Sequence, residues 1–149
     1  MLPKALPYFT MIRYFNDDHP YRLRHKKIVS SWLINTAQNE GYEISDLNII
    51  FCSDNQLLTV NQEHLNHDYF TDIITFDYTE EKSIEGEIYI SVDRVKDNAK
   101  KEAASFVSEM HRVLVHGVLH LCGFKDKSPK DAKIMREKEN HHLSRLKLD

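Results

Sequence analysis

The segment from His116 to Lys127, HGVLHLCGFKDK, contains residue types that bind metal ions. His116 and His120 are four residues apart, so on a helix their side chains project from the same face, one turn apart. Two imidazoles arranged in this way can bind one metal ion, as they do in the H-E-x-x-H zinc motif. The spacing therefore predicts a two-histidine metal site on a helix.

A third ligand is predicted just beyond this helix. Gly123 lacks a Cβ, so the chain can leave the helix there in a left-handed turn. Such a turn can bring Asp126, which lies ten residues after His116, back toward the two imidazoles. The same spacing places the third ligand in the zinc protease pattern H-E-x-x-H-x-x-G-x-x-H. We predict that His116, His120 and Asp126 bind one metal ion per chain, with a fourth position open to water as in catalytic zinc sites.

The residues around these ligands bear on the metal and its chemistry. A carboxylate ligand such as Asp126 is compatible with zinc and also favours manganese or iron. Gly117 stands where zinc proteases have their general-base Glu. A glycine inside a helix costs about 1 kcal/mol relative to Ala, so Gly117 indicates close approach by a strand or a substrate. Cys122 is interpreted as a buried core thiol rather than a fourth ligand.

Three more residues are candidates for the same site. Arg112 lies one helical turn before His116 and could contact a phosphate oxygen near the metal. Alternatively, Arg112 is a surface residue that pairs with Glu109. Asp72 and Thr75 could line the cleft, or they could be a strand-start cap and an ordinary strand residue.

The remaining histidines that we considered are assigned no role in the site. We interpret His111 as a surface or boundary residue, His64 and His67 as polar loop residues after the second helix, and His141 and His142 as solvent-facing residues of the last helix.

Periodicity predicts an α+β fold, in which one mixed four-stranded sheet carries about five helices. The predicted strands are residues 10–16, 46–53, 71–78 and 86–92. The predicted helices cover about residues 24–40, 54–65, 92–103 and 105–123, with a last helix that Ser128 caps. Gly41 stands where a helix should end.

Composition limits the class of protein. The chain has 149 residues, 41% apolar and 29% charged, which predicts a single globular domain over residues 1–149, with residues 1–10 as a possible loose tail. We find no membrane-spanning run and no signal peptide. Two cysteines fit a reducing cytoplasm. A net charge of -3 argues against general nucleic-acid binding, and the densest basic patch, at residues 22–27, reads as a solvated helix start.

Several segments together resemble one protein family. The run HGVLHLCGFKD is similar to the signature of the YbeY family, bacterial endoribonucleases that are also called rRNA maturation factors. LNHDYFTDIITFDY and GEIYISVDRVKDNAK resemble further segments of that family, and Met135 and Glu139 fit its last helix. The resemblance covers roughly residues 45–140.

The resemblance implies a metal-dependent RNA hydrolase that prefers single strands, usually with zinc, on a mixed four-stranded sheet. It implies a role in maturing the 3′ end of small-subunit rRNA and in ribosome quality control, with RNA and the small subunit as partners. Asp126 replaces the family's last His, and an Arg that usually follows its Leu-Asn pair is missing. The nucleophile stays open between metal-activated water and a ribose 2′-hydroxyl. Two rival hypotheses are a zinc peptidase or amidase and a non-catalytic, zinc-stabilised ribosome-binding factor.

Overall fold

Four strands and five helices follow one another along residues 10–148, the part of the chain that this computed structural model describes. The strands are β1 (Met11–Asn16), β2 (Glu43–Cys52), β3 (Ile73–Asp77) and β4 (Ser83–Ser91). The helices are α1 (Lys26–Asn39), α2 (Asp54–Leu65), α3 (Val92–Lys101), α4 (Phe106–Leu121) and α5 (Pro129–Leu143). The predicted tail, residues 1–10, lies outside the described residues except for Thr10.

The strands form one mixed sheet in the order β1-β2-β4-β3. Strand β2 pairs in parallel with β1 and with β4, whereas β3 is antiparallel to β4. The prediction of an α+β fold with a mixed four-stranded sheet and five helices is therefore confirmed.

The two faces of the sheet bury different helices. Side chains of β2 and β4 such as Ile49 and Ile88 are fully buried in the main core, together with residues of α1 and α4. On the opposite face, Cys52 packs with Leu57 and Val60 of α2 in a smaller cluster. This division follows from the alternation of side chains along each strand.

Helix α4 lies at the centre of the main core. Buried apolar residues occur on most sides of the helix, as Met110, Val113, Leu114, Val115, Val118, Leu119 and Leu121 show. A Cβ atom on Gly117 would lie 2.8 Å from Cδ1 of Ile88 and 2.9 Å from Cδ1 of Ile73. The glycine therefore lets α4 approach strands β3 and β4 closely, and the close approach that the sequence indicates is to strands.

Serine side chains fix the starts of four helices. Ser53, Ser91, Ser105 and Ser128 each accept a hydrogen bond from the backbone N–H three residues later. These bonds satisfy amide groups that have no partner inside the helix. Pro129 occupies the first turn of α5, where its missing N–H costs nothing. The sequence predicts Ser105 at the start of α4 and Ser128 as the cap of α5, and both predictions are confirmed. For α2 and α3 it leaves Ser53 or Asp54 and Ser91 or Asp93 as alternatives, and the serine is the cap in both helices.

Some element bounds and the buried face of α1 differ from the prediction. Strands β2 and β4 each begin three residues early, because the polar segments that start at Glu43 and Ser83 pair with each other. Helical spacing of apolar residues predicts that Ile28 belongs to the buried stripe of α1, but Val29 is fully buried there and Ile28 is exposed. Both cysteines are buried and free. None of the described helices combines the length and apolarity that crossing a bilayer requires.

Candidate metal centre and its cleft

Helix α4 presents His116 and His120 on one face near its carboxyl end. The centroids of the two rings are 4.6 Å apart, and the ring planes are nearly perpendicular. Both side chains are partly exposed, in contrast to the buried apolar residues around them. The core therefore fixes the helix, while the two imidazoles reach its open side.

The turn after α4 brings the third candidate residue to the histidines. Gly123 has φ +93°, and its N–H donates to the carbonyl of His120 at 2.9 Å. The N–H of Phe124 donates to the carbonyl of Leu119 at 3.1 Å. This pair of bonds is a Schellman motif, which reverses the chain and favours glycine at the left-handed position. The predicted left-handed exit at Gly123 is confirmed.

The side chains of His116, His120 and Asp126 converge. Oδ2 of Asp126 lies 3.3 Å from Nε2 of His116 and 3.4 Å from Nε2 of His120. Ligand atoms of all three residues lie within 4.8 Å of one another. A tetrahedral ion with bonds of about 2.0–2.1 Å holds its ligands about 3.3 Å apart, so both separations between Asp126 and the histidines fit such an ion.

Glu139 of α5 supports this group from behind. Its Oε2 lies 2.6 Å from Nδ1 of His116, and its Oε1 accepts a hydrogen bond from Arg112 at 2.9 Å. A carboxylate partner at Nδ1 keeps the proton on that nitrogen, so Nε2 is left with a free lone pair for a metal. Sequence reasoning placed Glu139 in the last helix but gave it no role.

The charges around the group shift several pKa values. Burial opposes the charged form of His116, but the hydrogen bond and the charge of Glu139, with Asp126 and Asp72, outweigh burial and raise its pKa. Burial and the neighbouring His116 lower the pKa of His120. Burial raises the pKa of Asp72. Burial works against the charged form of Glu139, yet its bonds to His116 and Arg112 lower its pKa.

The candidate ligands His116 and Asp126 face an open cleft of about 460 Å³. Asp72 lines this cleft, whereas Thr75 lies in β3 opposite Ile88 and is not among the lining residues. Acidic side chains outnumber basic ones on its walls, which include Asp72, Glu102, Glu109, Asp126 and Glu139 with Arg112 and Arg136. Arg112 therefore reaches the cleft, and its ion pair is with Glu139 rather than Glu109.

Two predictions about the other histidines are wrong. His111 is buried and packs edge-on against Trp32, because it lies on the core side of α4. His142 is buried as well, since its ring lies 2.7 Å from Oε2 of Glu40 and its carbonyl accepts a hydrogen bond from Trp32. His64 is exposed as expected but belongs to the last turn of α2, while His67 and His141 are exposed as predicted.

Comparison with known proteins gives consistent matches. The family described as Endoribonuclease YbeY matches residues 12–147. A protein of Cytophaga hutchinsonii named Endoribonuclease YbeY is 51% identical over 138 residues, which cover 92% of this chain and 96% of the relative. A protein of the same name from Parabacteroides distasonis is 45% identical over 91% of this chain and 95% of its own.

A solved structure supports the same relationship. The solution structure of a protein from Thermotoga maritima superposes with a TM-score of 0.65 at 28% sequence identity, and the match covers 91% of this chain and 89% of that one. A family match over nearly all the described residues, near relatives of almost equal length and a shared fold agree with the motif at the end of α4. The chain therefore belongs to the YbeY family of endoribonucleases.

Proposed function

We propose that this protein is a metal-dependent endoribonuclease that acts on single-stranded RNA and binds one Zn²⁺ per chain through His116, His120 and Asp126. One observation supports this most directly: both Nε2 atoms face one carboxylate oxygen at separations suited to a tetrahedral ion. Within residues 10–148, these three residues form the one group of three or more His, Cys, Asp or Glu side chains whose ligand atoms are close enough to hold a metal ion. Three protein ligands leave a position for water or substrate, which distinguishes catalytic from structural zinc sites.

Bound at these residues, the metal would lower the pKa of a water molecule toward neutrality and stabilise charge on the phosphate. Glu139 holds the tautomer of His116 that binds through Nε2. Arg112, fixed by the other oxygen of Glu139, brings a permanent positive charge to the wall of the cleft. We assign Arg112 to contact with a phosphate oxygen of the RNA.

The physiological role follows from the family. We propose that the substrate is an rRNA precursor, that the partner is the small ribosomal subunit, and that the protein matures the 3′ end of small-subunit rRNA in the cytoplasm. The relatives carry the name endoribonuclease. The two buried, unpaired cysteines agree with a reducing compartment.

Metal analysis and an RNA cleavage assay on the same preparations test the proposal. The wild type should contain about one metal ion per chain and cleave single-stranded RNA, whereas His116→Ala and His120→Ala should lose most of both. His141→Ala serves as the control because this histidine is exposed on α5, away from the cleft. Cleavage of casein-like substrates instead of RNA would support a peptidase. Bound metal without any hydrolysis would support a ribosome-binding factor.

The variant Asp126→His tests the third ligand separately. Imidazole suits zinc better than manganese, so this variant should keep zinc and lose preference for manganese. If the wild type and the variant have the same zinc affinity and the same manganese affinity, Asp126 does not bind the metal.

A further inference from the structure

The loop between α2 and β3 presents two aromatic side chains to solvent. Tyr69 is 56% exposed and Phe70 is 48% exposed. We call residues 67–70 the aromatic loop. A pair of large rings left uncovered is more informative than a single exposed apolar residue, because such patches commonly mark binding surfaces.

Hydrogen bonds fix the backbone on both sides of these rings. The buried amide of Asn61 donates to the carbonyl of Tyr69 at 2.9 Å. The N–H of Ser91 donates to the carbonyl of Asp72 at 2.9 Å, and Asn98 donates to the carboxylate of Asp72 at 3.3 Å. A loop that is held in place while its rings stay exposed is preorganised for contact, so little ordering entropy is lost on binding.

The rings themselves are oriented. The ring of Tyr69 stacks on His67 with centroids 5.2 Å apart and planes 22° apart, and its hydroxyl lies 3.0 Å from Nδ1 of that histidine. The guanidinium carbon of Arg94 lies 5.2 Å from the ring centroid of Phe70. Such a cation–π contact orients the ring without burying it.

The aromatic loop leads directly into the cleft. Thr71 and Asp72, the next two residues, line the same cleft as His116 and Asp126. Consecutive Cα atoms are about 3.8 Å apart, so the backbone of Phe70 adjoins the edge of the cleft at Thr71, which we call the rim. The acidic residues on the cleft walls repel a polyanion, so an attraction that does not depend on phosphate charge would add to the contacts proposed for the metal and Arg112.

We infer that Tyr69 and Phe70 form a stacking platform for bases of single-stranded RNA whose backbone enters the cleft, an inference that rests on the proposed function. Proteins bind unpaired RNA by stacking bases on aromatic side chains, and every base offers a π-face. Stacking does not depend on phosphate charge, so it supplies affinity beside an acidic cleft. The feature of the substrate that this platform would recognise is an unpaired base.

Binding of a short single-stranded RNA labelled with 2-aminopurine tests this inference. The fluorescence of this base analogue falls when it stacks, and stopped-flow mixing reports binding before turnover. Tyr69→Ala and Phe70→Ala should each raise Kd by about 5- to 150-fold, the range for losing one stacked base. An oligonucleotide of the same length with abasic sites should bind the wild type and both variants equally.

Matched variants separate stacking from folding. Tyr78 is 57% exposed and lies beyond the other end of β3, about 16 Å along the strand from Ile73, so Tyr78→Ala should bind RNA like the wild type. Phe70→Tyr should retain affinity and Phe70→Leu should lose it, because only the first keeps a π-face.

Two results would overturn the inference. One is RNA affinity in Tyr69→Ala and Phe70→Ala equal to that of the wild type, which would leave the rings for a protein partner. The other is an equal loss with the abasic strand. In both cases a wild type that cleaves RNA leaves the proposed function intact, whereas a metal-loaded wild type that neither binds nor cleaves RNA removes the function and the inference together.

Discussion

Among single residues, Glu139 shows what the sequence could not reveal. The spacing of His116, His120 and Asp126 predicted their meeting, because all three lie within eleven residues and a helix with a glycine exit fixes their geometry. Glu139 lies 23 residues beyond His116 on another helix. Its contact depends on how α5 packs against α4, and sequence periodicity does not contain that packing angle.

We predict that Glu139→Gln weakens metal binding by about 10- to 100-fold, the usual cost of losing the carboxylate behind a ligating histidine. The amide keeps the shape of the carboxylate but loses its charge, so His116 becomes a weaker ligand. Competition with a metal-binding dye measures the change. Glu137→Gln is the control because that residue is exposed, and equal affinity in both variants would exclude a role for Glu139.

Arg112 is predicted to contact one phosphate. Arg112→Ala should then reduce the slope of log affinity against log salt concentration by about 0.7 for single-stranded RNA. Arg112→Lys should keep the slope but lower cleavage, because lysine lacks the planar fork that grips two oxygens.

Arg13→Ala provides the comparison for Arg112. Arg13 lies on the edge strand β1 in an exposed pair with Asp46, and its loss should leave the slope unchanged. The structure adds one expectation: Arg112 pairs with the nearly buried Glu139, so Arg112→Ala should also lower stability. If neither the salt dependence of RNA affinity nor the cleavage rate changes in the Arg112 variants, the role of Arg112 is limited to holding Glu139.

Among the helices and strands, features set by neighbouring residues in the sequence were predicted correctly, whereas features set by contact with another element were not. A serine cap or a helix-ending glycine, such as Gly41 or Gly123, depends only on a few residues that are adjacent in the sequence. These local features therefore predict where helices begin and end. The early start of β2 depends on its partner: Glu43 becomes a strand residue because Ser83 lies opposite it. Likewise, Val29 rather than Ile28 is buried, since the rotation of α1 is set by its packing on the core.

We predict that Gly117→Ala lowers activity more than stability. The new methyl group would meet Cδ1 of Ile88 and Ile73 at less than 3 Å. These atoms are side-chain tips that can shift, and a better helix former returns up to about 1 kcal/mol against a packing cost of about 1–3 kcal/mol. The shift nevertheless moves Ile73, which lines the cleft, and the helix that carries both histidines.

The second-site change Ile88→Val tests this explanation. It removes the Cδ1 atom that approaches position 117 most closely, so Gly117→Ala with Ile88→Val should recover activity relative to Gly117→Ala alone. Thermal melting and RNA cleavage on Gly117→Ala, on Ile88→Val and on the double variant measure both effects. A Gly117→Ala protein that is more stable and fully active would show that activity does not require the close approach of α4 to strands β3 and β4.

For the whole molecule, an extensive apolar core is expected to hold the fold without the metal. The buried cluster that joins the sheet to α1 and α4 consists of side chains other than the three candidate ligands. We therefore predict that a chelator abolishes cleavage but leaves the chain folded. Metal at 100 times its Kd should stabilise by about 2.7 kcal/mol, a rise in Tm of about 5–10 °C for a domain of this size. Unfolding on chelation, seen by circular dichroism, would point to a structural site.

The buried His111 should make stability depend on pH. Burial, with the nearby charge of His25, lowers the pKa of His111. Below about pH 6.5 the unfolded chain binds a proton there that the folded chain does not, so stability is complete above that pH and falls as pH decreases toward the folded pKa. The slope from this group is at most about 1.4 kcal/mol per pH unit.

Urea unfolding between pH 5 and pH 8 checks this expectation. His111→Phe should flatten the decline in stability, while His141→Phe, at an exposed position, should leave it unchanged. A decline that is equally steep in His111→Phe would assign the effect to other groups.

The contrast between α4 and the turn after it has a kinetic consequence. His116 and His120 belong to a helix enclosed by the core, whereas the side chain of Asp126 is 39% exposed on a short loop. Amide hydrogens in the middle of α4 should therefore exchange with deuterium only when the whole molecule unfolds, and those after Gly123 far sooner. The metal would then leave by release of its carboxylate first, and the lifetime of the loaded protein would be governed by the opening of that loop rather than by the strength of the two imidazole bonds.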